Sequence, residues 1–468
     1  MRRWSAAALV AASMTVGALL PATPAAAVHG GVPGDFNGDG YKDAVLPAPG
    51  ADVSGKEGAG AVVVLYGSKS GLSAGNRKTI TQNTSGVPGT AEKWDAFGAT
   101  TATADLNRDG YADLVVGTPD EDTPYRANAG VVTVLWGSKG GLTSGTDLPS
   151  PDRYSYRYGQ DIAALGIGGG GRTRVSVASY TGSVHFTGPF TRGGGFGGVT
   201  LDMNTGSVLS VALGDFDGDT WPTPAVVSVR DGDLTGGRVY TTLAADKELQ
   251  GNGLVAAGGD LNGDGYTDLV TGDPDEPEKA GVDGESGGRV LVWYGSAAGI
   301  SADTAPVQIT QNTAGVPGAS ESGDAFGGAL AVADLNRDGL ADIVVGAPYE
   351  NLAKNRAGQV TVIPGRASGA LGTGSYSFSQ DTAGVPGASE TDDFFATTVS
   401  VGDVNKDGRP ELFVGASGEN NYTGAVWVFP GGSTRPTATG SKLFTASSVG
   451  LAQTNGTMLG GDGLLWIM

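Results

Sequence analysis

No cysteine occurs anywhere in the 468 residues. That excludes a disulfide framework, a thiolate metal site and a cysteine nucleophile. Histidine is nearly missing as well. His29 and His185 are the only two, so a His-rich metal cluster is excluded. Beyond the N-terminus no segment approaches the ~20 apolar residues that a membrane helix needs. Sustained helical periodicity is also absent. Positive charge is scarce: 29 Lys and Arg face 49 Asp and Glu, for a net charge of −20. Such a balance disfavours nucleic acid and anionic membrane as partners.

Residues 1–27 read as an export signal. Arg2 and Arg3 are followed by an apolar run from Ala6 to Leu20, and Ala25-Ala26-Ala27 offers small residues for cleavage. The paired arginines leave both the general and the twin-arginine route open. The expectation is a secreted, extracellular chain in which residues 28–468 form one domain. Without disulfides such a chain needs another staple, and bound metal is the candidate.

Glycine, in contrast, is abundant at 82 residues, with no collagen period and many short β-branched runs between. Many turns joining many short strands produce that pattern. Repeats then settle the architecture. Five segments align without gaps: Asp35-Phe-Asn-Gly-Asp-Gly-Tyr-Lys-Asp43, Asp105-Leu-Asn-Arg-Asp-Gly-Tyr-Ala-Asp113, Asp260-Leu-Asn-Gly-Asp-Gly-Tyr-Thr-Asp268, Asp334-Leu-Asn-Arg-Asp-Gly-Leu-Ala-Asp342 and Asp403-Val-Asn-Lys-Asp-Gly-Arg-Pro-Glu411. A sixth, Asp215-Phe-Asp-Gly-Asp-Thr-Trp-Pro-Thr223, is degenerate. A seventh unit is marked by Tyr158 to Ile167 and Val175 to Ser179, which carry the flanking strands without the acids.

Each unit reads as four short strands. Between 96 and 150 these are Ala99 to Leu106, Leu114 to Gly117, Gly130 to Trp136, and a last one near Thr146 to Leu148. The expected fold is therefore all-β: a seven-bladed β-propeller of four-stranded antiparallel blades with calcium-binding hairpin loops. A row of β-sandwiches needs ~100 residues per unit, and solenoid repeats are shorter, at ~20–47 residues.

The acidic loops have the chemistry of a calcium cage. Calcium takes six to eight oxygens. Side chains at positions 1, 3 and 5 turn inward, glycine at 6 accepts the sharp turn, position 7 offers its carbonyl, and position 9 closes the shell. The candidate ligands are Asp35, Asn37, Asp39, Tyr41 and Asp43; Asp105, Asn107, Asp109, Tyr111 and Asp113; Asp260, Asn262, Asp264, Tyr266 and Asp268; Asp334, Asn336, Asp338, Leu340 and Asp342; and Asp403, Asn405, Asp407, Arg409 and Glu411. The first half matches an EF-hand loop, but the closing acid stands at 9 rather than 12, and strands flank it rather than helices. Ordinary Asp/Asn-Gly turns do not require acids at 1, 5 and 9 together. About five Ca²⁺ ions are expected. The loop with Asp215, Asp217 and Asp219 is expected to be weak or empty, because Thr220 replaces the glycine and Thr223 the closing acid.

These residues resemble the FG-GAP repeat of integrin α-subunit N-terminal propellers and their bacterial relatives. Phe97-Gly98 and Phe326-Gly327 precede the loops, and Gly346-Ala347-Pro348 follows one. The resemblance implies seven blades, metal loops between strands 1 and 2 on a lower face, and ligands meeting the upper face. The strand 2–3 loops there are Asp120 to Arg126, Asp273 to Lys279, Tyr349 to Leu352 and Glu419 to Tyr422. The strand 4–1 loops carry Gly86-Val-Pro-Gly89, Gly315-Val-Pro-Gly318 and Gly384-Val-Pro-Gly387, followed by Glu92/Asp95, Glu321/Asp324 and Glu390/Asp393. Nothing else of an integrin is visible, so adhesion of that type does not transfer.

Three functions remain in view. One is a monomeric binding module for an extracellular glycan or protein, suggested by acidic upper loops with Tyr125, Tyr349 and Tyr422. The second is a calcium-stabilised hydrolase or lyase acting on polysaccharide or phosphodiester. His185 lies on an expected third strand and reads as structural, and no Gly-x-Ser-x-Gly elbow accompanies it, so no catalytic residue is assigned. The third is a matrix scaffold. The first unit has only Val28 to Gly34 ahead of its loop, and the tail 456–468 is expected to supply or reinforce its missing strand.

Overall fold

The computed structural model describes residues 30–167, 172–229, 235–241, 248–277, 279 and 281–463. The export signal expected at 1–27, His29 and the last five residues of the tail lie outside them.

Seven antiparallel sheets follow one another along the chain. Blade 2 shows the plan: Thr100–Ala104, Asp113–Thr118, Val131–Trp136 and Ser144–Asp147 pair in sequence order. These are the four strands expected between 96 and 150. The second strand of a blade is buried along its length, as in Asp342–Ala347 of blade 6, where an apolar run follows the closing acid. Neighbouring blades cover both of its faces, so it needs no polar alternation. The outermost strands carry the alternation instead: Arg77–Ile80 runs exposed, half-buried, exposed, buried.

Seven clusters of buried apolar side chains lie among the described residues, one at each junction of adjacent blades. Between blades 6 and 7, Val344, Val360 and Val362 meet Phe395, Trp427 and Phe429. Between blades 7 and 1, Val426, Val428 and Phe444 meet Ala44, Leu46 and Val63, which closes the ring. The fold is the all-β seven-bladed propeller.

Two blades depart from the four-strand plan. Among the described residues blade 4 has three strands, Val208–Gly214, Thr223–Val229 and Gly237–Tyr240, and a bridge from Tyr240 to Glu248. Blade 1 has three as well, and its inner edge is a single bridge, Gly34 to Asp43. Both chain ends finish that blade. Residues 30–34 lie along blade 2, where the Thr101 and Thr103 hydroxyls donate to the carbonyls of Gly30 and Val32. The tail supplies Leu459-Gly460, whose amides donate to Thr423 O (2.9 Å) and Pro47 O (2.7 Å). Phe97-Gly98 does the same between blades 1 and 2, through Ala59 O and Gly117 O, both at 3.0 Å. In its described residues, 456–463, the tail provides the clamp of the first blade.

Candidate functional site

Each acidic loop turns one strand into the next, and a ladder of amide–carboxylate hydrogen bonds shapes it. In the first loop, Asp35 Oδ1 accepts from Gly38 N (2.7 Å) and Asp39 N (3.2 Å), and Asp35 Oδ2 from Gly40 N (2.8 Å). Asn37 Oδ1 accepts from Asp39 N and Asp39 Oδ1 from Tyr41 N. The same ladder recurs from Asp105, Asp260, Asp334 and Asp403. Glycine is required at position 6, where φ is +87° in Gly40 and +88° in Gly339.

The closing acids are buried: Asp43, Asp113 and Asp268 at 0% exposure, Asp342 at 1% and Glu411 at 4%. One oxygen of each accepts the amide of position 2, as Asp342 Oδ2 does from Leu335 N (3.0 Å). In the four aspartates the other oxygen takes the amide of the glycine that ends strand 3, as Asp342 Oδ1 does from Gly365 N (3.0 Å). Burial drives all five up to about 7 against the pull of those amides, with a further push from the acids at positions 1 and 5. Position 9 therefore ties the three inner strands of a blade together, a task the repeat pattern alone does not disclose.

The donor set suits a hard divalent cation. It consists of carboxylate and amide oxygens, each with a lone pair beyond the one its backbone partner uses. Among the described residues, the three carboxylates of a complete loop do not converge as a close acid triad; Asp–Asn–Asp with a buried closing acid is the arrangement. The sixth loop does bring Asp215, Asp217 and Asp219 within 4.8 Å of one another. Its turn is strained, with φ +67° at the β-branched Thr220, and Thr223 leaves it without a closing acid. Loop 2 is altered differently: Arg192 of blade 3 pairs with Asp109 at 2.6 Å.

Neighbouring loops are stitched into a belt. The amide at position 8 donates to the carbonyl at position 1 of the preceding loop: Ala112 to Asp35, Thr267 to Asp215, Ala341 to Asp260 and, across the seam, Lys42 to Asp403. Pro410 stands at that place in the last loop and has no N–H to give.

On the opposite face the strand 2–3 and 4–1 loops meet. Their acids are largely engaged. Asp120 pairs with Arg157 at 2.9 Å, and Asp273 with the buried Arg289 at 3.0 Å. Of the three tyrosines singled out in the sequence, Tyr125 is 62% exposed and Tyr422 38%, but Tyr349 is half-buried with its ring 5.3 Å from Phe394. Glu419–Tyr422 forms one short turn in which Asn420 and Asn421 adopt left-handed φ of +53° and +58°. A denser patch escaped the sequence reading. Arg153 lies 4.8 Å from the Tyr154 ring and 5.7 Å from that of Tyr125, Arg126 lies 4.5 Å from Tyr156, and Arg157 lies 6.0 Å from Tyr180. Its residues come from three separate loops of blades 2 and 3, so no repeat signal points to it.

His185 is a core residue on the strand Gly182–Thr187. Its ring nitrogens meet the hydroxyls of Ser176 (2.8 Å) and Ser183 (3.0 Å), and burial lowers its pKa to about 3.

Comparison with known proteins agrees with this geometry. The FG-GAP repeat family matches residues 27–65, 97–135, 252–293, 326–363 and 395–429, the five units with complete loops. Phosphatidylinositol-glycan-specific phospholipase D of Homo sapiens is 26% identical over 374 residues, covering 67% of this chain and 42% of that protein. Integrin alpha-7 of Mus musculus is 32% identical over 194 residues, covering 41% of this chain and 14% of that protein. The chain spans less than half the length of the curated relatives it matches. Among solved structures, the exotype rhamnogalacturonan lyase YesX aligns with a TM-score of 0.42 and 14% identity over 88% of this chain and 73% of that one. At that score the likeness carries no inference. No helix among the described residues is long and apolar enough to cross a membrane. The chain is thus a seven-bladed β-propeller that carries five FG-GAP repeats and is homologous to integrin α-subunits and to phosphatidylinositol-glycan-specific phospholipase D.

Proposed function

We propose that this is a secreted, calcium-stabilised propeller that acts as an extracellular binding or scaffold module, engaging a glycan or protein ligand through its upper-face loops. The observation that carries the reading is the tyrosine–arginine patch of blades 2 and 3. Aromatic faces backed by guanidinium groups give large, rigid contact area at low entropic cost. In a chain of net charge −20 this patch concentrates Arg126, Arg153 and Arg157 on one surface. Sugar rings stack on such tyrosines, and carboxylates pair with such arginines.

The five lower loops would hold calcium through their carboxylate and amide oxygens and the carbonyl at position 7. Calcium there supplies folding stability rather than chemistry, because clustered carboxylates repel until a cation neutralises them.

The full chain should be screened against a glycan array and immobilised matrix proteins, with and without EDTA. A ligand should be found whose affinity falls by at least about tenfold in the Tyr125→Ala/Tyr154→Ala variant. Binding indifferent to that variant would overturn the patch as the site. Turnover of a polysaccharide or phosphodiester would favour the hydrolase or lyase reading instead.

A further inference from the structure

The upper face carries a second recurring constellation, independent of the tyrosine patch. Gln311 in a 4–1 loop donates its amide to Glu350 in the following 2–3 loop, 39 residues on. Between them, Glu321 donates its backbone amide to Asp324 Oδ2 at 2.7 Å. Oxygens of Glu321, Asp324 and Glu350 lie within 4.8 Å of one another. The hydrogen bonds recur twice at identical spacing, while among the described residues the approach of all three carboxylates to within 4.8 Å is confined to blade 6. Gln82 bonds Glu121 and Glu92 bonds Asp95; Gln380 bonds Glu419 and Glu390 bonds Asp393.

Acids in proximity are not by themselves a site. Here a second feature converges on them. Gln311, Gln82 and Gln380 are 1%, 5% and 2% exposed, and in all three the amide oxygen Oε1 is buried with no hydrogen-bond partner. Asp324 is 0% exposed, and its Oδ1 is also buried without a partner. Buried acceptors are ordinarily satisfied, so three equivalent orphans in three blades require an explanation. The charged neighbours acting on Glu350 and Asp324 are acids too, and burial raises Glu350 to about 7 and Asp324 to about 6. A shared proton relieves one pair of oxygens. It leaves the amide oxygen and the third carboxylate unmet.

Blade 5 supplies the contrast. Glu276 stands four residues after Gly272, as Glu350 does after Gly346. It accepts from Gly287 N, Ser322 Oγ and Gly323 N, and these neutral donors lower its pKa. The same position can thus be served by amides, and in three blades it is turned toward carboxylates instead.

We propose that Gln311 Oε1, Glu321, Asp324 and Glu350, with their counterparts in blades 2 and 7, form three divalent-cation sites of calcium type on the face opposite the Asp-x-Asn-x-Asp loops. All donors are hard oxygens, which suits calcium. Each site bridges a 4–1 loop to the 2–3 loop of the next blade. The exposed Glu92, Glu321 and Glu390 leave one side open to solvent.

The test is calcium stoichiometry of the full chain, measured by equilibrium dialysis and elemental analysis. The Glu121→Gln/Glu350→Gln/Glu419→Gln variant should bind about three ions fewer per chain than the wild type. An Asp264→Ala/Asp338→Ala variant should lose lower-face ions and keep these. An unchanged count in the triple variant would overturn the proposal, whatever the lower loops bind. Should that variant fail to fold, wild-type crystals soaked in terbium decide the matter. An anomalous peak between Glu321, Asp324 and Glu350 supports the site, and its absence in crystals whose lower loops are filled refutes it.

Discussion

Blades 3 and 6 have the same four strands but hold them by different means. In blade 6 the hairpin between the first two strands is the cage from Asp334 to Asp342. In blade 3 the corresponding stretch has Ile167 and Arg172 at its described ends and no acids between them. Blade 3 relies on buried hydrogen bonds. Asp161 Oδ2 accepts from Ser210 Oγ (2.7 Å) and Val211 N (2.8 Å) of blade 4, and His185 sits between two serines. Tyr158 fills the place of Phe97, and its hydroxyl donates to Leu148 O at 3.2 Å. Blade 3 adopts the propeller form without a cage. The apolar junctions therefore set the architecture, and the proposed calcium cages would add a local dependence on metal.

The seam should show the largest effect, because both kinds of blade depend on the ring being closed. Leu459 is fully buried, and Leu459→Ala should cost about 3 kcal/mol. Truncation after Asn455 should cost more and lower the melting temperature markedly. A truncated chain that melts like the intact one would show that the clamp is dispensable.

Within a cage, positions 5 and 9 should part company. Asp342→Ala strips partners from the amides of Leu335 and Gly365 and should cost about 2–3 kcal/mol in chelator, with a further loss in calcium because the cage also loses its closing ligand. Asp338→Ala should cost about 1–3 kcal/mol in calcium and little in chelator. Identical behaviour of the two variants in thermal melts would erase the distinction between strand tie and cation ligand.

Blade 3 should show the smallest effect, through pH. The pKa of His185 is about 3 in the folded chain, against 6.5 as its ordinary value. Between these values the unfolded chain binds the extra proton, so its contribution to stability is complete above about 6.5 and falls as pH drops. At pH 5 the loss amounts to about 2 kcal/mol. His185→Asn should flatten that part of the stability profile relative to the wild type, as read by denaturant titration at pH 7 and pH 5.

Much of this was legible in the sequence because each unit repeats its own signals. The loops, the strands around them and the acid-free unit at 158–179 all lie within short windows. What stayed hidden depends on contacts between units. Gln311 and Glu350 are 39 residues apart and meet only because a 4–1 loop folds over the next blade. Leu459-Gly460 lacks the aromatic of Phe97-Gly98, Tyr158-Gly159 and Phe326-Gly327, so the tail does not announce its role. Tyr349 reads as a free aromatic until Phe394 covers it. Arg192 reaches Asp109 from another blade, 83 residues on.

Hydrogen exchange read by mass spectrometry, in calcium and after chelation, tests the central claim most directly. Chelation should strip protection from the hairpins at 35–43, 105–113, 260–268, 334–342 and 403–411, while the strands Asp161–Gly166 and Thr173–Ser179 keep theirs. Equal loss in blade 3, or protection unchanged in all five hairpins, would contradict the account.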